Sequence, residues 1–149
     1  MGRLNIRLLD IGSLDDGQLI DLTMEENGSL KSLFKGRVDF QLLIEWFLDN
    51  EEDIKSLEIP VGYLTDTSIA EGIHSIYENL DVDNDEVVDK MFDYRSSHCL
   101  RFASRGTDFP EIYIGKNGVR YEISIFNECE QWRYFFDIDD FFDELKLLS

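Results

Sequence analysis

Four groupings of side chains in this chain have the types and spacing to do chemistry. Asp81-Val82-Asp83-Asn84-Asp85 alternates carboxylates as the start of a calcium loop does, and such alternation can converge oxygens on a hard cation. The remainder of that loop is wrong for the ion: Glu86 stands where the sharp turn needs Gly, and Phe92 stands where a bidentate carboxylate is needed. Helix initiation accounts better for the run. His74, His98, Cys99 and Cys129 are the soft or borderline ligands besides methionine, but His98 and Cys99 are neighbours instead of a spaced pair, so they lack the ligand spacing of a zinc site. A cysteine nucleophile served by a distant histidine is the catalytic reading of Cys99; a buried structural thiol is the commoner one. Arg101, Arg105 and Asp108 surround Gly106-Thr107 ahead of Phe109-Pro110, and with Arg95 and His98 they make the one locally basic stretch. Paired arginine donors grip phosphate or carboxylate, although the same groups can simply neutralise neighbouring acids and hold their own loop. No cofactor is called for by any of these.

The fourth grouping is the largest. From Asp39 to Asp93 there are sixteen acidic residues against Lys55 and Lys90, a local charge of −14 in a chain whose net charge is −18. Glu45, Asp49, Glu52 and Asp53 recur at three- and four-residue spacings, which would project a row of carboxylates from one helix; Asp81, Asp83, Asp85 and Glu86 crowd the start of another. These eight are the candidate partner-binding residues. A concentrated negative field draws basic partners over about a Debye length and speeds encounter. The competing account is a solvated face that only maintains solubility.

The elements that must carry these groups follow from hydrophobic periodicity. Leu4 to Ile11 and Gln18 to Met24 alternate on either side of a polar turn at Asp15-Asp16-Gly17, predicting an N-terminal hairpin that ends before Asn27-Gly28. Phe40, Leu43, Ile44, Phe47 and Leu48 then recur at helical spacing behind Asp39 as N-cap. Pro60 and Gly62 close that unit, and Thr67 or Ser68 caps a second helix through Ile69, Ile73, Ile76, Tyr77 and Leu80. Asp83 with Glu86 resembles a capping box launching a third, through Val87, Val88, Met91 and Phe92. After Pro110 the period becomes two: Ile112 and Ile114, then Val119, Tyr121, Ile123 and Ile125, with Lys116-Asn117-Gly118 between them as the turn. Trp132 to Phe136 is a further strand, and Asp137 or Asp139 starts a closing helix with Phe141, Phe142, Leu145 and Leu148. The segregated order, hairpin, acidic helices, antiparallel β-meander, closing helix, predicts an α+β fold. One domain over 1–149 is expected, with 1–65 and 66–149 as lobes if it divides.

Composition bounds the rest. With 43% hydrophobic residues, including eleven Phe, six Tyr and two Trp, the chain has enough apolar surface to offset chain entropy, so its acidity belongs to a folded body and not to a disordered tail. Two cysteines thirty residues apart do not make a disulfide framework and suit a reducing compartment. The N-terminus, with Arg7 and Asp10 inside what would be an apolar core, does not read as a signal peptide, and Ile6 stands where myristoylation needs Ser or Thr. A cytoplasmic protein is expected, with no membrane and no direct nucleic-acid contact: Trp132, Tyr134, Phe135, Phe136, Phe141 and Phe142 are interleaved with Asp137, Asp139, Asp140 and Asp143, which would repel phosphate.

An acidic α+β chain of this size without a catalytic signature resembles, as a class, the bacterial immunity proteins that neutralise nuclease toxins of the colicin or contact-dependent growth inhibition type. The resemblance is one of size and composition; no family motif is matched and no residue role is carried over. It implies a tight one-to-one complex with a basic nuclease domain and no enzymatic activity. Two alternatives stay open: a phosphate- or nucleotide-handling enzyme using Arg101, Arg105 and Asp108, and a DNA-mimic regulator.

Overall fold

A computed structural model describes residues 2–10, 17–59, 67–79, 83–103 and 109–149. Asp81, Arg105 and Asp108, the Asp15-Asp16 turn, Pro60, Gly62, Leu80 and the proposed lobe boundary at 65 lie outside the described residues.

The N-terminal unit is a three-stranded antiparallel meander: β1 (Arg3–Asp10), β2 (Gln18–Glu26) and β3 (Ser29–Val38), in that spatial order. The expected hairpin is its first two strands, with Leu4 opposite Met24, Ile6 opposite Leu22 and Leu8 opposite Ile20. Asn27-Gly28, expected to end the unit, instead turns it. Both residues have positive φ (53° and 79°), the pair of left-handed conformations a type I′ turn demands, and Glu26 faces Ser29 across it. The third strand was hidden because Leu33 is an extra residue between the Phe34–Leu22 and Ser32–Thr23 pairs, which resets the alternation mid-strand.

The C-terminal sheet is the expected meander of β4 (Tyr113–Asn117), β5 (Arg120–Phe126) and β6 (Gln131–Phe136). Its tight turn is displaced by one residue from the Asn-Gly expectation. Asn117 pairs with Arg120, so Gly118 (φ 66°) and Val119 are the two loop residues, and Gly in the first loop position is the type II′ arrangement. Val119 is therefore 96% exposed instead of being a strand residue. Gly2 fastens the two sheets: its N–H donates to the Phe135 carbonyl (2.9 Å) and its carbonyl accepts from Asp137 (3.2 Å).

Among the described residues, five helices complete the α+β fold: α1 (Phe40–Asp49), α2 (Glu51–Ser56), α3 (Ile69–Glu78), α4 (Asp85–His98) and α5 (Ile138–Leu148), with a 3₁₀ turn at Leu100–Ala103. Short polar side chains set the starts. Asp39 accepts from the Leu42 N–H (3.1 Å), Ser68 from Glu71 (3.1 Å) and Asp137 from Asp140 (3.1 Å). At α4 the expected cap is corrected by one residue: Asn84, not Asp83, accepts from Val87 (3.3 Å).

The C-terminal sheet is packed on both faces. Ile114, Ile123, Ile125 and Phe136 join Leu4, Ile20, Leu43, Phe47 and Phe142 in the main core, where the Phe47 ring meets Phe141 edge-on at 5.2 Å. The opposite face carries Tyr113 into a second cluster with Ile69, Ile73, Met91, Tyr94 and Cys99, beneath α3 and α4. Residues before and after position 65 share the main core. No helix among the described residues is long and apolar enough to cross a membrane.

Candidate partner-binding surface

The acidic row does not lie on one helix. Asn50 breaks it: its N–H and its side-chain amide both donate to the Trp46 carbonyl (3.1 and 2.8 Å), and its own carbonyl starts the next turn by accepting from Ile54. Glu45 and Asp49 thus stand on α1, Glu52 and Asp53 on α2, and all four are exposed. Asp83, Asp85 and Glu86 are exposed at the start of α4, with Asp89 and Asp93 further along it.

Two partly buried contacts tie these helices together. The Trp46 indole N–H donates to the Ser96 carbonyl (3.1 Å), tying α1 to α4. His98, with no exposed surface, lies 3.1 Å through Nε2 from the Asp53 carbonyl, tying α4 to α2. Its Nδ1 is 2.7 Å from the Ser97 hydroxyl and 2.9 Å from the Tyr94 carbonyl. With Nε2–H donating to Asp53, Nδ1 is left to accept from Ser97, and the Tyr94 carbonyl beside it goes without a ring donor. Burial also disfavours a charged ring and lowers its pKa from the ordinary value, against the opposing pull of the carbonyls. His98 is thus a neutral clamp, stacked on Tyr94 at 3.9 Å.

The two lysines of the acidic segment are already engaged. Lys55 pairs with Glu51 (2.7 Å) and Asp139 (3.1 Å), and Lys90 with Glu86 (3.0 Å). Among the described residues, no cation stands within 4.0 Å of Glu45, Asp49, Glu52, Asp53, Asp85, Asp89 or Asp93, so the layer keeps its negative field.

The catalytic candidates separate. Cys99 is fully buried, and burial pushes its thiol up to about 11, far from the thiolate a nucleophile needs. Cys129 is exposed on the β5–β6 loop. His74 is on the outside of α3, paired with Glu78 (3.0 Å). Among the described residues no three His, Cys, Asp or Glu side chains converge to hold a metal. Of the basic stretch, Arg95 and Arg101 both reach one oxygen of Glu111 (3.3 and 3.1 Å), a residue just ahead of β4; among the described residues this carboxylate, and no acid of a helix, is their ion-pair partner.

Sequence reasoning missed Trp46 and Glu122. Trp46 sits at a helical position beside the apolar stripe, and its role needed the tertiary partner. Glu122 falls on the polar side of an alternating strand and looked solvated, but it is completely buried, accepting from the Ile69 N–H (2.8 Å), Arg133 (3.1 Å) and the Asn117 amide. The buried Glu122 and Asn117, with the half-buried Arg133, fix the start of α3 on β5, and Ser124 accepts from Ala70 (3.2 Å). No family model, curated protein or solved structure matches the chain.

Proposed function

We propose that this chain is a cytoplasmic acidic inhibitor that neutralises a basic protein, and that it belongs functionally with bacterial immunity proteins against nuclease toxins. The observation that carries the reading is the layer of α1, α2 and α4. Trp46 and His98 hold it rigid, it presents carboxylates from three helices, and its two lysines are consumed by Glu51, Asp139 and Glu86. Nuclease surfaces are cationic because phosphate dominates their affinity, and a fixed array of carboxylates competes for the same field. Preorganisation matters energetically: side chains mounted on packed helices lose less freedom on binding than those of an acidic tail. Mutual repulsion among the acids is relieved when a cationic partner docks.

The complex is expected to form fast at low salt, toward the 10⁸–10⁹ M⁻¹s⁻¹ that steering permits, and roughly a hundredfold or more slower once charges are screened. Affinity capture with the full chain, followed by stopped-flow association with the captured protein at low and high salt, tests this. A basic nuclease whose activity is lost on adding the chain supports the reading. A partner that binds with no salt dependence, or binds equally well when Glu45, Asp49, Glu52 and Asp53 are all changed to Lys, overturns it.

A further inference from the structure

Two of the chain's asparagines are followed by Gly, and each pair sits at a tight hairpin turn: Asn27-Gly28 between β2 and β3, Asn117-Gly118 between β4 and β5. Such a pair carries its own reaction, because the Gly nitrogen, with no Cβ to block the approach, can attack the Asn side-chain carbon Cγ. The glycines do not separate the two sites. Both have positive φ (79° and 66°), and a Cβ on either would meet nothing within 4 Å. The asparagines do. Asn117 is 4% exposed, and its Nδ2 donates to the Thr67 carbonyl (3.1 Å) and to Glu122, which uses both amide hydrogens. Expelling that nitrogen would strand two acceptors and set a second carboxylate against the buried Glu122. Asn27 lies in the exposed run 25–32, and among the described residues no hydrogen bond holds its side-chain amide. Attack requires the turn to open, and opening costs least at exposed tips and most where buried groups must part.

From this contrast we infer that Asn27 is a self-modifying site, an asparagine that hydrolyses to aspartate and isoaspartate while Asn117 is protected. The Gly28 nitrogen bonds to Asn27 Cγ, its proton leaves with Nδ2 as ammonia, and a five-membered cyclic imide remains. One water then opens the imide. Cleavage of the Cγ–N bond gives aspartate; cleavage at the main-chain carbonyl gives isoaspartate, whose chain runs through Cγ. No electrons are exchanged, and either product adds one negative charge. Aspartate keeps the turn, since Asp-Gly also favours type I′. Isoaspartate puts an extra methylene into the two-residue loop, so Glu26 and Ser29 no longer face each other in register. β3 is an edge strand paired to β2 alone, so the strand and its Lys31–Tyr134 contact (5.4 Å to the ring centre) loosen with it. The site is independent of the inhibitor reading and stands if that reading falls.

The test is to hold the full chain at mildly alkaline pH, follow ammonia release, and read the amide-to-acid mass gain in fragments cut by trypsin. Trypsin frees residues 8–31 and 117–120, which hold Asn27 and Asn117 as their sole asparagines. In the folded chain, fragment 8–31 is expected to convert at least about tenfold faster than 117–120, the gap set by the cost of opening. In urea the two should convert at similar rates. Asn27→Gln, whose longer side chain does not close the five-membered ring, should remove the fast release of ammonia. The isoaspartyl form, isolated by chromatography, should melt below Asn27→Asp, which carries the same charge on an unlengthened main chain. The inference is overturned if 117–120 keeps pace with 8–31 in the folded chain, if 8–31 stays unchanged there while it converts in urea, or if Asn27→Gln releases ammonia as fast as the parent. An isoaspartyl form that melts with Asn27→Asp would overturn the loss of register.

Discussion

At the scale of single residues the protein rests on two buried polar side chains, Glu122 and His98. Glu122 has no exposed surface, and its carboxyl oxygens accept from Arg133 at 3.1 Å and from the Ile69 and Asn117 N–H groups. Removing the carboxylate leaves the buried Ile69 N–H and Asn117 amide without their acceptor. Glu122→Ala is accordingly expected to lower unfolding stability by about 1–3 kcal/mol, read as a drop in the urea midpoint, whereas Glu122→Gln, which keeps an acceptor for Ile69, should cost less. Equal losses for the two would show that charge is irrelevant there. His98 is the second, and its burial favours the neutral ring. Its pKa in the folded chain is lowered, so the unfolded chain binds the proton first as pH falls. The stability it contributes is complete above about pH 6.5 and declines as acidity increases from there toward the folded-state value. His98→Gln should flatten that part of the stability–pH curve; the exposed His74→Gln should not. A curve of unchanged slope in His98→Gln would remove the neutral clamp from the account.

At the scale of elements, the close approach of α4 to β4 depends on one missing side chain. A Cβ on Gly115 would stand 2.8 Å from His98 Cδ2 and 3.4 Å from the Tyr94 hydroxyl, and the His98 ring, stacked on Tyr94, has no room to withdraw. Gly115→Ala should cost about 1–3 kcal/mol as overpacking does and loosen the Asp53–His98 tie, seen as faster amide exchange in α2. At the other end of α4, Asn84→Ala should cost about 1 kcal/mol by loss of the cap and Asp83→Ala clearly less, with helix melting followed by circular dichroism; the opposite order would restore Asp83 as the cap. These elements also mark what the sequence made legible. Asp39, Ser68 and Asp137 announced their helices because a cap is a local hydrogen bond, and the β-meander was plain because Ile112 and Ile114, then Tyr121, Ile123 and Ile125, alternate on either side of a turn at Gly118. β3 was not legible, since the Leu33 bulge and the charged Lys31, Lys35 and Arg37 obscure its period. The division of the acidic helix at Asn50 was equally hidden, because that residue's amide folds back on the Trp46 carbonyl while the apolar stripe runs on. The candidate surface was legible as charge and not as geometry: Glu45, Asp49, Glu52 and Asp53 could be named, but Trp46 and His98, which hold their helices against α4, act through partners about fifty residues away.

For the whole molecule, the same charge that would steer a partner works against the fold. A net −18 spread over 149 residues repels itself in the compact state more than in the expanded one, and Glu45 with Asp49 on α1, and Glu52 with Asp53 on α2, stand closer together than the ~10 Å over which 0.1 M salt screens. The lysines that could relieve them are spent at Glu51, Asp139 and Glu86. Melting temperature should therefore rise as sodium chloride is raised from near zero to physiological strength. Changing Glu45, Asp49, Glu52 and Asp53 to Lys should raise the low-salt melting temperature and shrink its salt response, because four repulsive sites become attractive to the acids that remain. If these carboxylates are held for binding, that more stable variant should be the slower to capture a basic partner, the gain in fold and the loss in association arising from one change of sign. A variant that is less stable at low salt, with the salt response of the parent, would mean that the acids are too far apart or too well solvated to repel. The layer would then have no stored repulsion for a cationic surface to relieve.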